Sequence, residues 1–314
     1  MAEKMATREA YGNALAEFGE KYDFVVLDAD LAAATKTGVF KKAFPSRFFD
    51  CGIAEGNMRG VAAGIAATGK TVFASSVAMF AAGRAYEQVR NMIGYPHLNV
   101  KIGATHAGIT VGEDGATHQC NEDIALMRTI PGMVVLNPAD ATEARACVEA
   151  ALKHVGPVYL RFGRLAVPVL FDKTDFKFEI GKGSVLHEGT DVTIIATGLM
   201  TSIAVEANEM LKQEGISARI VNMASIKPID KELILESAHK TGVIVTCEEH
   251  NIIGGLGSAV SEVVCESSLP VPVVKLGVND TYGKSGKATE LISVFGLDAQ
   301  SVVNKVKQAL ELKK

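Results

Sequence analysis

The sequence lacks a strong excess of charge of either sign, and it lacks any paired cysteine motif. A net charge of −4 gives no reason to expect nucleic acid or an acidic membrane surface as a partner. The five cysteines are scattered along the chain and form no CxxC pair. Neither a disulfide framework nor a zinc site is therefore expected, and the cytoplasm is the natural compartment.

Long apolar runs, short repeats and low-complexity segments are also missing. The most apolar stretch, 61–83, is broken by Gly69-Lys70 and by Ser75-Ser76, so no span of about 20 apolar residues exists that could cross a membrane. The N-terminus, Met1 to Lys4, does not have the apolar pattern of a signal segment. The 314 residues are enough for two domains, each with its own core.

Helix and strand patterns alternate along the whole chain. Continuous apolar strands, such as Phe24 to Leu27 and Val100 to Ala104, are typical of a mostly parallel sheet that is covered on both faces. The alternation breaks after residue 166 and then resumes. We therefore predict an α/β fold with two domains, each a mostly parallel sheet flanked by helices, over 1–166 and 182–314, with a linker over 167–181.

Helix start signals place several helices. We predict a helix over Thr7 to Phe18 with Thr7 as its N-cap, and another over Ala78 to Ile93. Asp140-x-x-Glu143 predicts a capping box at the start of a helix that runs to about His154.

The segment from Thr105 to Gln119 is the most informative part of the sequence. It holds two histidines, one Glu, one Asp and three glycines, directly after a predicted strand. Loops at the carboxyl ends of strands are where α/β proteins place their chemistry. The alternative, a polar surface turn, does not require two histidines and two carboxylates at such short spacing.

Glu55 stands out because it begins a helix among small and apolar residues. Burial disfavours its ionised form, whereas the positive end of the helix favours it. Such a carboxylate is suited to sharing a proton with a ring nitrogen. The alternative is a first-turn Glu that only compensates the helix dipole.

Two further features have ordinary alternatives. Arg8, Arg161 and Arg164 are suited to phosphate recognition, although each taken singly can be a surface cation. The run Gly254-Gly-Leu-Gly257 is weak support for nucleotide binding, and a tight turn with close helix packing is the better interpretation.

Taken together, these residues resemble the C-terminal two-thirds of transketolase, over nearly the whole chain. The pair Ile53-Ala-Glu-Gly-Asn-Met58 and Gly112-Glu-Asp-Gly-Ala-Thr-His-Gln119 is the most specific part of the resemblance. Further matching segments are Ala6–Gly12, Leu27–Asp30 and Arg84–Arg90. The resemblance implies a pyrimidine-binding domain for thiamine diphosphate, followed by a transketolase C-terminal domain.

The resemblance also implies cofactor contacts. Glu55 would hydrogen-bond the aminopyrimidine ring of thiamine diphosphate and so activate the cofactor, whose own chemistry carries the electron sink. Phe80 would pack on the pyrimidine, and Asp30 would lie near the cofactor.

Substrate contacts follow from the same resemblance. Arg8, His106 and Arg161 would bind the substrate phosphate, and Asp114 would contact a sugar hydroxyl. His118 would assist proton transfer or bind a hydroxyl, so His106 and His118 join Glu55 as candidate catalytic residues. Ketol transfer from a ketose phosphate to an aldose phosphate is the implied activity, with the pentose phosphate pathway as its setting.

The diphosphate and metal half of the site is missing from the resemblance. Gly112-Glu-Asp-Gly115, with Asn137 downstream, superficially matches a thiamine-diphosphate metal motif. We reject it because Glu113 stands where that motif needs Gly, and because Asn137 precedes Pro138 at a strand end. We therefore predict no metal ligands in this chain. An N-terminal transketolase subunit would supply the diphosphate site and its Mg²⁺ or Ca²⁺, in a heterotetramer.

Three other interpretations remain open at this point. The β subunit of a 2-oxoacid dehydrogenase E1 component shares the two-domain plan. Ala107-Gly-Ile109 after His106 leans towards deoxyxylulose-phosphate synthases, which favours a carboligase subunit. A non-catalytic regulatory partner with the same fold is the third.

Overall fold

Two mostly parallel sheets organise the chain in the computed structural model, which describes residues 3–313. The first sheet has seven strands in the spatial order β12-β6-β7-β5-β4-β2-β3, all parallel except β12. In chain order they are β2 (Phe24–Asp28), β3 (Phe48–Asp50), β4 (Thr71–Val77), β5 (Val100–Thr105), β6 (Val134–Leu136), β7 (Val158–Arg161) and β12 (Ser225–Lys227). A separate antiparallel pair joins β1 (Lys4–Ala6) to β8 (Ala166–Pro168).

Helices cover both faces of the first sheet. They are α1 (Thr7–Phe18), α2 (Ala32–Thr35), α3 (Gly38–Ala43), α4 (Glu55–Ala67), α5 (Tyr86–Gln88), α6 (Asp123–Arg128) and α7 (Ala141–Lys153). Alternate strand residues divide between two apolar cores: Leu27 and Ala74 face the core under α4, whereas Val26 and Phe73 face the core under α1 and α7. Both faces are buried, which is why these strands read as continuous apolar runs.

The second sheet has five strands in the order β14-β13-β10-β11-β9, with only β9 antiparallel to its neighbour. The strands are β9 (Ser184–His187), β10 (Val192–Ala196), β11 (Ala218–Asn222), β13 (Ile244–Asn251) and β14 (Val273–Val278). The helices are α8 (Leu199–Gln213), α9 (Lys231–Thr241), α10 (Leu256–Cys265), α11 (Ala288–Val294) and α12 (Ala299–Glu311). Apolar cores lie on both faces here too. The predicted fold class is confirmed.

One strand of the second half joins the first sheet. β12 pairs antiparallel with β6, with Ser225 opposite Leu136. Lys227 extends across the boundary and donates to the carbonyls of Arg128 and Ile130 at 2.7 and 2.6 Å. The two domains therefore share hydrogen-bonded backbone as well as side-chain contacts.

The structure corrects several local expectations. Ala6, not Thr7, is the N-cap of α1, and the Thr7 hydroxyl instead accepts a hydrogen bond from the Gly163 amide at 2.8 Å. The helix expected over Ala78 to Ile93 is built from two π-helical turns, Met79–Arg84 and Val89–Gly94, on either side of α5. The expected linker begins with two residues of β8, because β8 pairs with β1.

The predicted cap of α7 by Asp140 is confirmed, but Glu143 bonds the amide of the residue before the N-cap and not that of Asp140 itself. Asp140 accepts a hydrogen bond from the Glu143 amide at 2.8 Å, and Glu143 accepts one from the Ala139 amide at 2.7 Å. Among residues 3–313 no helix is both long and apolar enough to cross a membrane.

Candidate active site

Four segments of the first domain meet at one edge of its sheet. β2, β4 and β5 are parallel neighbours, so the loops that follow them emerge side by side. These loops carry Asp30, Phe80 and His106, and α4 brings Glu55 to the same edge from the loop after β3.

Glu55 is the first residue of α4 and is only 3% exposed. Its Oε2 is buried and has no hydrogen-bond partner among the described residues. Its nearest cation is Arg84, whose Nη1 lies 3.8 Å from that oxygen. A buried carboxylate oxygen without a partner is costly in a folded protein, so this atom is suited to receive a donor from a ligand.

Phe80 and Arg84 extend the site from the π-helical turn after β4. The Arg84 guanidinium lies 5.0 Å from the centre of the Phe80 ring, within the range of a cation–π contact. The His118 ring meets the Phe80 ring edge-on, with 5.3 Å between their centres. The structure thus joins Glu55, Arg84, Phe80 and His118 into one continuous surface.

His106 lies directly after β5 in a left-handed backbone conformation, with φ of 58°. Its Nε2 is 3.1 Å from Arg8 Nη1, and its Nδ1 is 2.9 Å from the Thr105 hydroxyl. Because a guanidinium can only donate, Nε2 accepts and Nδ1 carries the proton. Burial, reinforced by Arg8, lowers the pKa of His106 to about 3, so the imidazole is neutral at physiological pH.

Several cations surround His106. Arg164 and Lys36, together with Arg8, are close enough to contribute to the lowered pKa of His106. Burial and the nearby Arg164 also lower the pKa of Arg8. Arg164 itself donates to the Val111 carbonyl and to Glu113, at 3.2 Å for the latter. Positive charge concentrated around a neutral imidazole favours an anionic group.

The remaining predicted residues differ in setting. Asp114 is exposed at the tip of the Thr105–Gln119 loop. Asp30 is also exposed and has a left-handed φ of 60°, with its amide donating to Asp50 at 3.0 Å. The predicted cofactor and substrate roles of both stay predictions.

Arg161 is placed differently from the expectation of a phosphate ligand. It is 2% exposed, and its Nε donates to Asp123 at 2.8 Å while its Nη2 donates to the Glu249 carbonyl at 2.9 Å. This ion pair raises the pKa of Arg161. At most Nη1 could meet a ligand without rearrangement, so the geometry favours Arg161 as a buried connection between the domains.

Asn137 lies at the boundary between the two domains. Its backbone N–H donates to the Ala224 carbonyl at 2.8 Å, and its backbone carbonyl accepts from the Thr197 hydroxyl at 3.2 Å. Within the described part of the chain no cluster of three or more His, Cys, Asp or Glu residues could hold a metal ion.

Sequence comparison assigns both domains. The transketolase pyrimidine-binding domain family matches residues 3–169, and the transketolase C-terminal domain family matches residues 181–302. The chain belongs to the transketolase family. Its two domains are those that the sequence resemblance around Glu55 and Thr105–Gln119 implied.

Several similar proteins have nearly the same length as this chain. A protein of Methanocaldococcus jannaschii, provisionally named as a transketolase C-terminal section, is 52% identical over 97% of this chain and 96% of its own length. A 6-deoxy-6-sulfo-D-fructose transketolase subunit of Clostridium sp. (strain MSTE9) is 44% identical over 98% of this chain and 95% of its own length. A solved split-gene transketolase, described as an inactive beta4 tetramer, is 57% identical with a TM-score of 0.92, covering 99% of this chain and all of that chain.

Two residues at this edge of the sheet were not among the predicted site residues. Arg84 was noticed only as part of a matching segment, although it contacts both Glu55 and Phe80. Asp28 was also missed. Its carboxylate accepts from the Leu31 amide and from the Thr35 and Thr37 hydroxyls at 2.6 to 2.8 Å, and so it shapes the loop that carries Asp30. A polar residue at the end of an apolar strand was the available signal.

Proposed function

We propose that this chain is the C-terminal subunit of a two-chain transketolase that transfers a two-carbon ketol unit from a ketose phosphate to an aldose phosphate. The observation that carries the proposal is the buried, unpartnered Oε2 of Glu55 on the same surface as Phe80 and His118. A non-catalytic partner would have no need to keep a buried carboxylate oxygen free of protein donors.

The residues at this edge fit thiamine diphosphate. Glu55 would accept a hydrogen bond from the aminopyrimidine ring, and the Phe80 face would pack on that ring. When bound, the cofactor supplies the nucleophilic carbon and the electron sink for ketol transfer. The diphosphate and its Mg²⁺ or Ca²⁺ belong, in this proposal, to an N-terminal partner subunit.

The cationic group around His106 is suited to the phosphate of the sugar. Arg8 would donate to phosphate oxygens, while the neutral His106 keeps Nε2 as an acceptor and so holds the Arg8 guanidinium in place. His118 would exchange a proton with a sugar oxygen, and Asp114 would accept from a sugar hydroxyl. Arg161 would act indirectly: it donates a hydrogen bond to the Glu249 carbonyl, and the Glu249 carboxyl in turn bonds the Thr105–Gln119 loop.

The partner, the sugars and the setting are part of the same proposal. Two N-terminal and two C-terminal subunits would form a heterotetramer in the cytoplasm. Relatives named for 6-deoxy-6-sulfo-D-fructose and for apulose-4-phosphate make the sugar preference an open choice within one chemistry. Xylulose 5-phosphate and ribose 5-phosphate, the pentose phosphate pair, are the first substrates to test.

The deciding experiment is reconstitution. The purified chain alone should show no ketol transfer. Mixed with its N-terminal subunit, thiamine diphosphate and Mg²⁺, it should convert xylulose 5-phosphate plus ribose 5-phosphate, or a related ketose and aldose phosphate from a panel. Robust activity without a partner would contradict the two-chain proposal, and pyruvate decarboxylation by the mixture would favour a 2-oxoacid dehydrogenase subunit instead.

A further inference from the structure

The Thr105–Gln119 loop is clamped by the C-terminal domain. Ile109, at the start of a short 3-10 turn, is fully buried in the core of that domain, beside Leu291 of α11. The Gln119 side chain donates to the Lys284 carbonyl at 2.9 Å. Just beyond the loop, the backbone carbonyl of Asn121 accepts from the backbone N–H of Asn251 at 2.7 Å. The loop that carries His106 and His118 therefore takes its shape from residues more than one hundred positions away.

Glu249, near the carboxyl end of β13, makes a further contact with this loop. Its Oε1 accepts from the Thr110 amide at 2.7 Å. Its side chain also occupies the space that a β-carbon on residue 108 would need, and residue 108 is a glycine. A β-carbon on Gly108 would come within 2.3 Å of the Glu249 carboxylate. Gly108 also has a φ of 80°, which only glycine adopts without strain. Glycine is therefore the residue that both the positive φ and the close approach of Glu249 require at position 108.

The setting of Glu249 makes its bond to the loop strong. The residue is 4% exposed, and its carbonyl holds the Nη2 of the buried Arg161 at 2.9 Å. Burial raises the pKa of the Glu249 carboxyl, and Arg161 opposes that shift. Thr110 is only 1% exposed, so removal of the Glu249 carboxyl would leave its buried amide without a partner, which costs more than the loss of an average hydrogen bond.

We propose that Glu249 is a positioning residue for ketol transfer: it fixes the 3-10 turn at Ile109–Val111 and through it the placement of His106 and His118. The inference rests on the proposed function for its kinetic part. Its structural part, the ordering of the loop, holds for this chain on its own. The C-terminal domain thereby gains a defined role, which is to hold the substrate loop of the neighbouring domain.

Amide hydrogen exchange on the isolated chain tests the structural part. In Glu249→Ala the amides of residues 108–112 should exchange at least about tenfold faster, because the Thr110 amide loses its hydrogen-bond acceptor. Glu249→Gln keeps an oxygen acceptor and should restore most of the protection. Glu248→Ala is the matched control, because Glu248 is the preceding residue and is also buried but bonds α10 and not the loop.

Steady-state kinetics of the reconstituted complex test the functional part. Glu249→Ala should raise the KM for the sugar phosphate about tenfold and leave the affinity for thiamine diphosphate unchanged. Glu249→Gln should lie close to the wild type, and Glu248→Ala should keep the wild-type KM even if it is less stable. A general loss of folding would instead lower the activity of both alanine variants in parallel.

The outcomes separate the two proposals. An inactive wild-type complex would overturn the proposed function and leave the exchange result standing. An active wild-type complex with unchanged KM in Glu249→Ala, or unchanged exchange at residues 108–112, would overturn the role of Glu249. If Glu249→Ala does not fold, Glu249→Asp replaces it, since a shorter carboxylate should still fold but move away from the Thr110 amide.

Discussion

Two buried glutamates, one in each domain, lie next to the start of a helix but differ in whether the protein satisfies their carboxylate oxygens. Glu55 begins α4, and its Oε2 has no hydrogen-bond partner in the described part of the chain. Glu248 faces the start of α10, and its two oxygens accept from the amides of Leu256 and Gly257 at 2.7 and 2.8 Å. Gly255 leaves room for this cap, because a β-carbon there would meet Glu248 Oε2 at 1.9 Å.

The difference separates a residue that serves a ligand from one that serves the fold. Buried polar atoms are normally satisfied within the protein, and an exception asks for an explanation. Glu248 pairs fully with orphan amides at a helix start, which is a common way to stabilise that end. Glu55 forgoes such pairing, so its contribution to folding is small and its contribution to cofactor binding and catalysis is expected to be large.

Glu55→Gln gives the largest expected effect. The amide cannot share a proton with the aminopyrimidine ring as a carboxylate does, so kcat in the reconstituted complex should fall at least about 100-fold. Proton exchange at the reactive carbon of the bound cofactor, followed by NMR after quenching, should slow in parallel. An unchanged exchange rate would remove the role assigned to Glu55.

Glu143→Gln is the matched control for that experiment. Glu143 is also buried in the first domain, but its oxygens accept from the Ala139 amide and from Asn222. Burial raises the pKa of Glu143 to about 8, so at pH 7 the substitution removes little negative charge, whereas the new amide nitrogen faces an N–H donor and should lower the stability. The activity of the folded Glu143→Gln complex should stay near the wild type.

Glu248→Ala should show the reverse pattern. Loss of a buried cap that accepts two amides should lower the free energy of unfolding by about 2 kcal/mol, measured by urea denaturation of the isolated chain. The activity of the folded complex should be retained at a temperature well below the unfolding midpoint. A loss of activity as large as that of Glu55→Gln would erase the distinction between the two glutamates.

The sequence allowed the fold to be predicted and singled out Glu55 as a candidate site residue, because both depend on local patterns. The ends of α1 follow from apolar spacing, the cap of α7 from Asp140 and Glu143, and the functional interest of Glu55 from a carboxylate among small residues. Apolar spacing cannot distinguish an α-helix from the π-helical turns around Tyr86, since both place apolar residues three to five positions apart.

The parts that could not be predicted depend on contacts between distant segments. Arg161 looks like a phosphate ligand in the sequence, and only the fold shows that Asp123 and the Glu249 carbonyl occupy two of its three nitrogens. Glu249 has no local signal at all, because its partner Thr110 is 139 positions away. The pairing of β12 with the first sheet could not be predicted for the same reason, because its partner β6 lies far away in the sequence.

A smaller effect is expected for His106 in the pH dependence of stability. Its pKa is about 3 in the folded chain and about 6.5 when unfolded, so the unfolded state binds more protons between these values. The free energy of unfolding therefore falls as the pH drops below about 6.5, by roughly 2 kcal/mol at pH 5 from this group. His106→Asn removes that contribution.

Urea unfolding at pH 7.5 and pH 5 measures the effect. The wild type should lose more stability between the two pH values than His106→Asn does. Replacement of His187, a half-buried histidine in the second domain, provides the comparison for loss of a histidine elsewhere. Equal pH dependence in the wild type and His106→Asn would contradict the neutral, buried state of His106.

The smallest expected effect concerns Arg84, the one cation that approaches the unpartnered Oε2 within 4 Å in the described chain. Its side chain is 59% exposed, so Arg84→Met should change the free energy of unfolding by less than about 1 kcal/mol.

The Arg84 guanidinium also lies over the Phe80 ring, on the surface that would contact the pyrimidine. If Arg84 only covers that surface, calorimetric titration of the reconstituted complex with thiamine diphosphate should give an affinity at least as tight for Arg84→Met as for the wild type. Arg90→Met, at another exposed position of the same segment, should match the wild type. An affinity weakened about tenfold or more would show that Arg84 supports the cofactor, and Glu55 would then act as half of an ion pair and not as a carboxylate held free for its ligand.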